Sequence, residues 1–234
     1  MVGFVAFFIL TIYISLSDVS KNADELPEEN VSKLPIIAFM ITALCCLAFS
    51  TACHWLWSKN EQLCTTLTVL DYQGIILLIL GTNYPFVTYR FACGYLIFYR
   101  HLFNSVLSIC GIACMIVVLK PTFLTGTPKL ILFIVFVLMV LVPSVVLYTL
   151  DDHENSIAQD TLTPIALCIL PYLTGLLFYA VSFPERCSNQ GRFDIIGQSH
   201  HVHHICVLLG IGFALAESLQ IYRLRLEFSC PAEN

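Results

Sequence analysis

Seven long apolar runs, parted by short polar segments, limit what this chain can fold into more than any other feature. The runs are residues 1–17, 34–57, 72–89, 103–119, 130–150, 161–183 and about 199–222. Polar punctuation occupies 20–29, 58–61, 90–100, 120–129, 151–160 and 184–198. A helical membrane span needs roughly 20 apolar residues, whereas barrel strands are about ten residues long and alternate in polarity. These runs are continuous and longer, so they read as helices. The expected fold is an all-α membrane protein, a seven-transmembrane-helix bundle forming one domain over residues 1–234. Composition agrees, with 58% hydrophobic and 12% charged residues, against about 25% charged in soluble domains. A surface that poor in charge would not stay dissolved, and disorder, collagen and disulfide mini-scaffolds are excluded with it. A net charge of −5 with 11 Lys+Arg argues against nucleic acid as a partner.

The first run is the shortest and sits at the lower length limit for a span. It has neither a Lys/Arg n-region nor an A-x-A-like site, so it does not read as a signal peptide. It reads as a helix whose first turn or more is absent from this chain. The positive-inside rule does not orient the bundle. With the N-terminus inside, Lys59, Lys120, Lys129, Arg186 and Arg192 oppose Lys21, Lys33, Arg90, Arg100, Arg223 and Arg225. That is five against six, a tie.

Parity is firmer. With seven spans, the end of the second helix, the start of the third and the start of the seventh share one side of the bilayer. Those places hold Ser50 and His54, then Asp71, then Ser199-His200-His201-Val202-His203-His204. Ionisable groups at membrane depth are costly and default to a functional reading. His200 and His204 are four apart, so on a helix they share a face. Two such imidazoles plus a third from another helix make the three-ligand pattern of catalytic zinc, with a position left open. The pairs His200/His203 and His201/His204 also fall on one face. A His-rich helix start at a wet interface would look the same, so spacing alone leaves both readings standing.

Three ordered motifs on three helices add a resemblance. Ser50-Thr-Ala-Cys-His54 matches an S-x-x-x-H in the second helix, and Leu70-Asp71-Tyr72-Gln73-Gly74-Ile75 an L-D-Y-x-G-I at the third. Pro184-Glu185-Arg186, Gly191-Arg192-Phe193-Asp194, then Ser199-His200 and His204 follow P-E-R…P-G-K-F-D…S-H-Q-x-x-H. Tyr172-Leu173-Thr174-Gly175 and Pro143 fall in place as well. From about Gly3 to Cys230 the chain resembles the progestin and adipoQ receptor family, related to hemolysin III. It departs from the pattern in three places. The E-T-x-N-I-W-T-H-like segment would end just before Met1. Asn189-Gln190-Gly191 replaces the Pro-Gly, one residue longer. His201 and His203 stand where the family has Gln and an aromatic residue.

The resemblance implies zinc on His54, His200 and His204, with Asp71 holding the zinc water and Ser50 hydrogen-bonding near the site. It also implies that the N-terminus is cytoplasmic and the zinc lies near that face. The implied reaction is hydrolysis of a ceramide-like lipid amide, with a role in lipid signalling. Implied partners are a membrane lipid (ceramide or fatty acid) and an extracellular protein ligand, at the plasma membrane or an endomembrane. Zinc lowers the pKa of its water towards about 7, and a carboxylate beside it can take the proton and pass it to a leaving amine. Asp71 could instead be an interfacial N-cap, and Ser50 could bond back to its own helix. The alternative function is a ligand-responsive receptor with a structural zinc. Cys53 and Cys64 lie near enough in sequence to close such a site.

Other classes fail simple tests. A retinal protein needs a Lys in the seventh helix, and the lysines are at 21, 33, 59, 120 and 129. D-R-Y and N-P-x-x-Y of rhodopsin-type receptors do not occur. Pro85, Pro143 and Pro171 are expected to interrupt helices, but no inverted repeat of transporter kind is visible. Most of the eleven cysteines lie inside helices and read as small hydrophobes. Asn30-Val31-Ser32 is a sequon close to a helix start, and Glu217 has no assigned role. Parity puts Cys93 and Cys230 on one side. With the implied orientation that side is oxidising, so a disulfide between them is expected if their Cα atoms lie within about 7 Å.

Overall fold

A computed structural model describes residues 2–17, 31–56, 60–120, 127–150, 162–187, 192–193, 196–227 and 230. The Asn30 of the sequon and the Asn189–Gly191 turn lie outside them. The described residues form seven α-helices: α1 Val2–Leu16, α2 Leu34–Leu56, α3 Glu61–Arg90, α4 Leu96–Val118, α5 Thr127–Leu150, α6 Leu162–Val181 and α7 Ser199–Glu227. Of these, α2, α3, α4 and α7 are long and apolar enough to cross a membrane by length and composition.

Each apolar run has become a helix, but α3 and α4 begin well before the apolar pattern does. α3 starts at Glu61 rather than near Tyr72. Its cap is Asn60, whose side-chain oxygen accepts from the Leu63 N–H at 2.7 Å, satisfying a donor the helix itself leaves open. The following turns are too polar to count as an apolar run, yet they stay helical. Thr65, Thr66 and Thr68 each donate their hydroxyl to the carbonyl four residues back. Asp71 therefore lies three turns inside α3 and does not open it, which removes the N-cap reading. α4 likewise begins at Leu96 rather than Phe103, and α3, α5 and α6 run unbroken through Pro85, Pro143 and Pro171.

The chain divides into two compact units. The first is Met1–Ala158 with Ser218–Asn234, the second Gln159–Glu217. In the first, α2 packs chiefly on α3, α1 on α2, and α3 also on α4 and α5. Two glycines make the α2–α3 contact close. A Cβ at Gly74 would stand 2.9 Å from the Cys46 Cα, and one at Gly81 1.8 Å from the Thr42 hydroxyl oxygen. Small residues let helix backbones approach in this way where lipid offers no hydrophobic drive. Ile76, Cys114, Val118 and Phe136 build the core shared by α3, α4 and α5. The Tyr89 hydroxyl ties the far end of α3 to the Ser32 carbonyl at 2.8 Å. The expected Cys93–Cys230 disulfide is present, with Cα atoms 5.4 Å apart.

In the second unit α6 meets the first half of α7 through the same device. A Cβ on Gly175 would lie 2.7 Å from the Cys206 Cβ, and one on Gly210 2.5 Å from the Tyr172 ring. The Tyr172-Leu173-Thr174-Gly175 motif is thus half of a reciprocal packing: each helix gives a glycine to the other's side chain.

Candidate metal centre

The close approach at Gly74 fixes the neighbourhood of Asp71. Asp71 lies one turn before Gly74 on α3, and Ser50 one turn beyond Cys46 on α2. Because the helices run antiparallel, Asp71 is brought to the Ser50 hydroxyl, which bonds its carboxylate, with the His54 ring beside it. Ser50 therefore points at a carboxylate rather than only at its own helix. Cys53, one residue before His54, is 2% exposed and bonded to Thr68.

The start of α7 carries four histidines. The Nε2 atoms of His200 and His204 face each other at 3.1 Å, while His201 is exposed. His203 packs against the Tyr179 ring, centroids 5.7 Å apart, and Tyr179 also flanks His200 at 5.5 Å. The start of α7 is set from outside the helix. Glu185, in a single 3-10 turn Glu185–Cys187, accepts the Ser199 N–H at 2.7 Å and the Ser199 hydroxyl on its other oxygen. The helix then winds from Gln198, whose carbonyl takes the N–H of His201 and of Val202. Ser199 is 4% exposed, so its N–H has no water to turn to and needs that carboxylate. The Ser199 hydroxyl holds the Glu185 carboxyl below the usual carboxylate range, against a smaller opposing effect of burial. The P-E-R motif was visible in the sequence, but its role as a clamp on α7 was not. Tyr179 carried no signal beyond being one aromatic residue among many.

His200 and His204 thus offer two imidazole donors on one face of α7, a ligand type zinc accepts. Nitrogens about 2.0–2.1 Å from a tetrahedral ion would stand about 3.4 Å apart, close to the separation of this pair. Without a metal the same pair can share a hydrogen bond, one ring donating to the other.

Residues 1–215 match the Haemolysin-III related family. The chain is 32% identical over 211 residues to the Adiponectin receptor protein of Drosophila melanogaster, which covers 89% of this chain and 46% of that protein. Two Arabidopsis thaliana proteins are similar, each over 77% of this chain: Heptahelical transmembrane protein 4, 32% identical with 46% of its own length covered, and Heptahelical transmembrane protein 5, 34% identical with 48% covered. The chain thus spans about half the length of the curated relatives it matches. With a match over most of its length and several helices able to cross a bilayer, the chain belongs to the Haemolysin-III related family, that of the progestin and adipoQ receptors, as an integral, multi-pass membrane protein of adiponectin-receptor-like kind.

Proposed function

We propose that this chain crosses the membrane seven times, holds zinc on His54, His200 and His204 near the cytoplasmic face, and hydrolyses a ceramide-like lipid amide in lipid signalling. The observation that carries the reading is Asp71. It lies beside His54, bonded by Ser50. A carboxylate next to a ligand but not needed as one is free to move a proton. Zinc, when bound, supplies a Lewis acid that polarises a carbonyl and makes a water acidic at neutral pH. The chain's own part is then general acid–base work. Asp71 takes the proton of the attacking water and delivers it to the departing amine, while the Ser50 hydroxyl keeps the carboxylate aimed. Cys53 is buried and bonded to Thr68, which takes it away from closing the site and favours a position open to substrate.

A second reading rests on the name of the Drosophila relative: a receptor for a protein ligand in which the metal is structural. One experiment separates the two. Purified chain in nanodiscs is analysed for metal and then offered ceramides of several chain lengths, with fatty-acid release measured. The enzyme reading expects one zinc per chain, release by the wild type, and release lowered about 10²–10⁴-fold in Asp71→Asn with zinc retained. Zinc-loaded wild type without release, or equal release by Asp71→Asn, supports the receptor.

A further inference from the structure

At the opposite end of α7 from its histidines stands a second arrangement the proposed function does not use. Cys93, in the turn between α3 and α4, is bonded to Cys230, which lies beyond the end of α7 and 137 positions away. Arg225, on the last turn of α7, is 4% exposed. Its guanidinium straddles the bridge, with Nη1 3.2 Å from the Cys93 sulfur and Nη2 3.2 Å from the Cys230 sulfur. A third group waits nearby: the Ala92 carbonyl oxygen is 3.7 Å from the Cys230 sulfur.

A neutral disulfide gains little from these neighbours. Its sulfurs are weak acceptors, and without a hydrogen they can donate nothing to a carbonyl. The reduced pair can use all of them. A thiolate accepts a charge-assisted bond from the guanidinium fork, and a Cys230 thiol donates to the Ala92 carbonyl. Both cysteines are half-buried, so a small molecule can reach them. We propose that Cys93–Cys230 is a thiol-exchange site opened and closed by small thiols of the glutathione class, with Arg225 stabilising the reduced form. In the opening step a thiolate of the reductant attacks one sulfur, forming a mixed disulfide and expelling the other cysteine as a thiolate under Arg225. A second thiol attacks the mixed disulfide and frees the first cysteine. Two thiols become one disulfide, and the bridge takes up two electrons and two protons. Opening releases Cys230 from the α3–α4 turn. The inference stands on this end of the molecule alone and does not depend on zinc.

The test is redox equilibration of the full chain in nanodiscs across a series of glutathione ratios, followed by alkylation and mass mapping of Cys93 and Cys230. The wild type should reach half-reduction at a quotient of squared reduced-glutathione concentration over oxidised-glutathione concentration at least tenfold lower than Arg225→Gln does. A tenfold change in that quotient is about 30 mV for a two-electron couple. Arg225→Lys covers one sulfur only and should shift by at least threefold, so it carries the comparison if Arg225→Gln does not fold. Half-reduction at the same ratio in the wild type and in the variant that folds would overturn the proposal. So would a wild-type bridge that stays closed in a large excess of reduced glutathione, as ordinary structural disulfides do.

Discussion

A helix that must present two histidines on one face needs a fixed first turn, and in α7 a single carboxylate from the preceding turn supplies it. Glu185 takes both the N–H and the hydroxyl of Ser199. The folded protein therefore holds its carboxyl below the usual carboxylate range, the Ser199 hydroxyl being the main cause. A carboxyl depressed on folding contributes stability that is fully present above its unfolded value, about 4.3 for Glu, and lost as pH falls through the lower folded value. Thermal melts of the wild type should accordingly show an acid-dependent loss below about pH 4.3. Glu185→Gln should remove that component and melt lower at neutral pH. Parallel pH profiles would show that the clamp is idle. The ligand register belongs to this scale too. Metal analysis should find zinc lost in His54→Ala, His200→Ala and His204→Ala, and kept in His201→Ala and His203→Ala. If His201→Ala lost zinc while His200→Ala kept it, the assignment would fall. Spacing alone left the pairs His200/His203 and His201/His204 open, because all three pairings share a helix face. In the folded chain the His200 and His204 rings face each other, and the helix that carries them starts on a residue fourteen positions away.

Among elements, the α2–α3 pair determines where the acid stands. Gly74 and Gly81 let α3 lie against Cys46 and Thr42, and from that contact Asp71 meets Ser50. Gly81→Leu should be destabilised by more than the about 1–3 kcal/mol common for overpacked cores, because Thr42 is β-branched and cannot swing away. Gly212 offers the comparison, since a Cβ there meets nothing within 4 Å. Gly212→Ala should melt like the wild type, and equal melting of Gly81→Leu would remove the packing argument. Seven helices were legible in the sequence because apolar runs are long-range averages that tolerate local error. The true start of α3 was not. Asn60 and a ladder of threonine hydroxyls keep the chain helical across residues too polar to join an apolar run, and a hydropathy pattern cannot see a hydroxyl returning to its own backbone. Glu185 and Arg225 were missed for a related reason. Each acts on a partner distant in sequence, and only the folded chain puts the two together.

For the whole molecule, the proposed ion joins residues far apart in the chain, from His54 to His204. Ligands brought together only by folding make metal binding part of the folding free energy. A ligand that binds only the native state stabilises it by RT ln(1 + [L]/Kd), about 2.7 kcal/mol at a hundredfold excess over Kd. Wild-type protein in nanodiscs should therefore melt higher with added zinc and lower after chelation. His204→Ala should melt low in both conditions and respond to neither. Asp71→Asn tests whether holding the ion and using it are separate properties. Asp71 is proposed to move a proton and not to hold the ion, so its variant should keep the full zinc-dependent rise in melting temperature while turnover is lost. If Asp71→Asn instead lost the zinc response together with His204→Ala, the carboxylate would be a ligand. The division of labour proposed between three imidazoles and one acid would then be wrong.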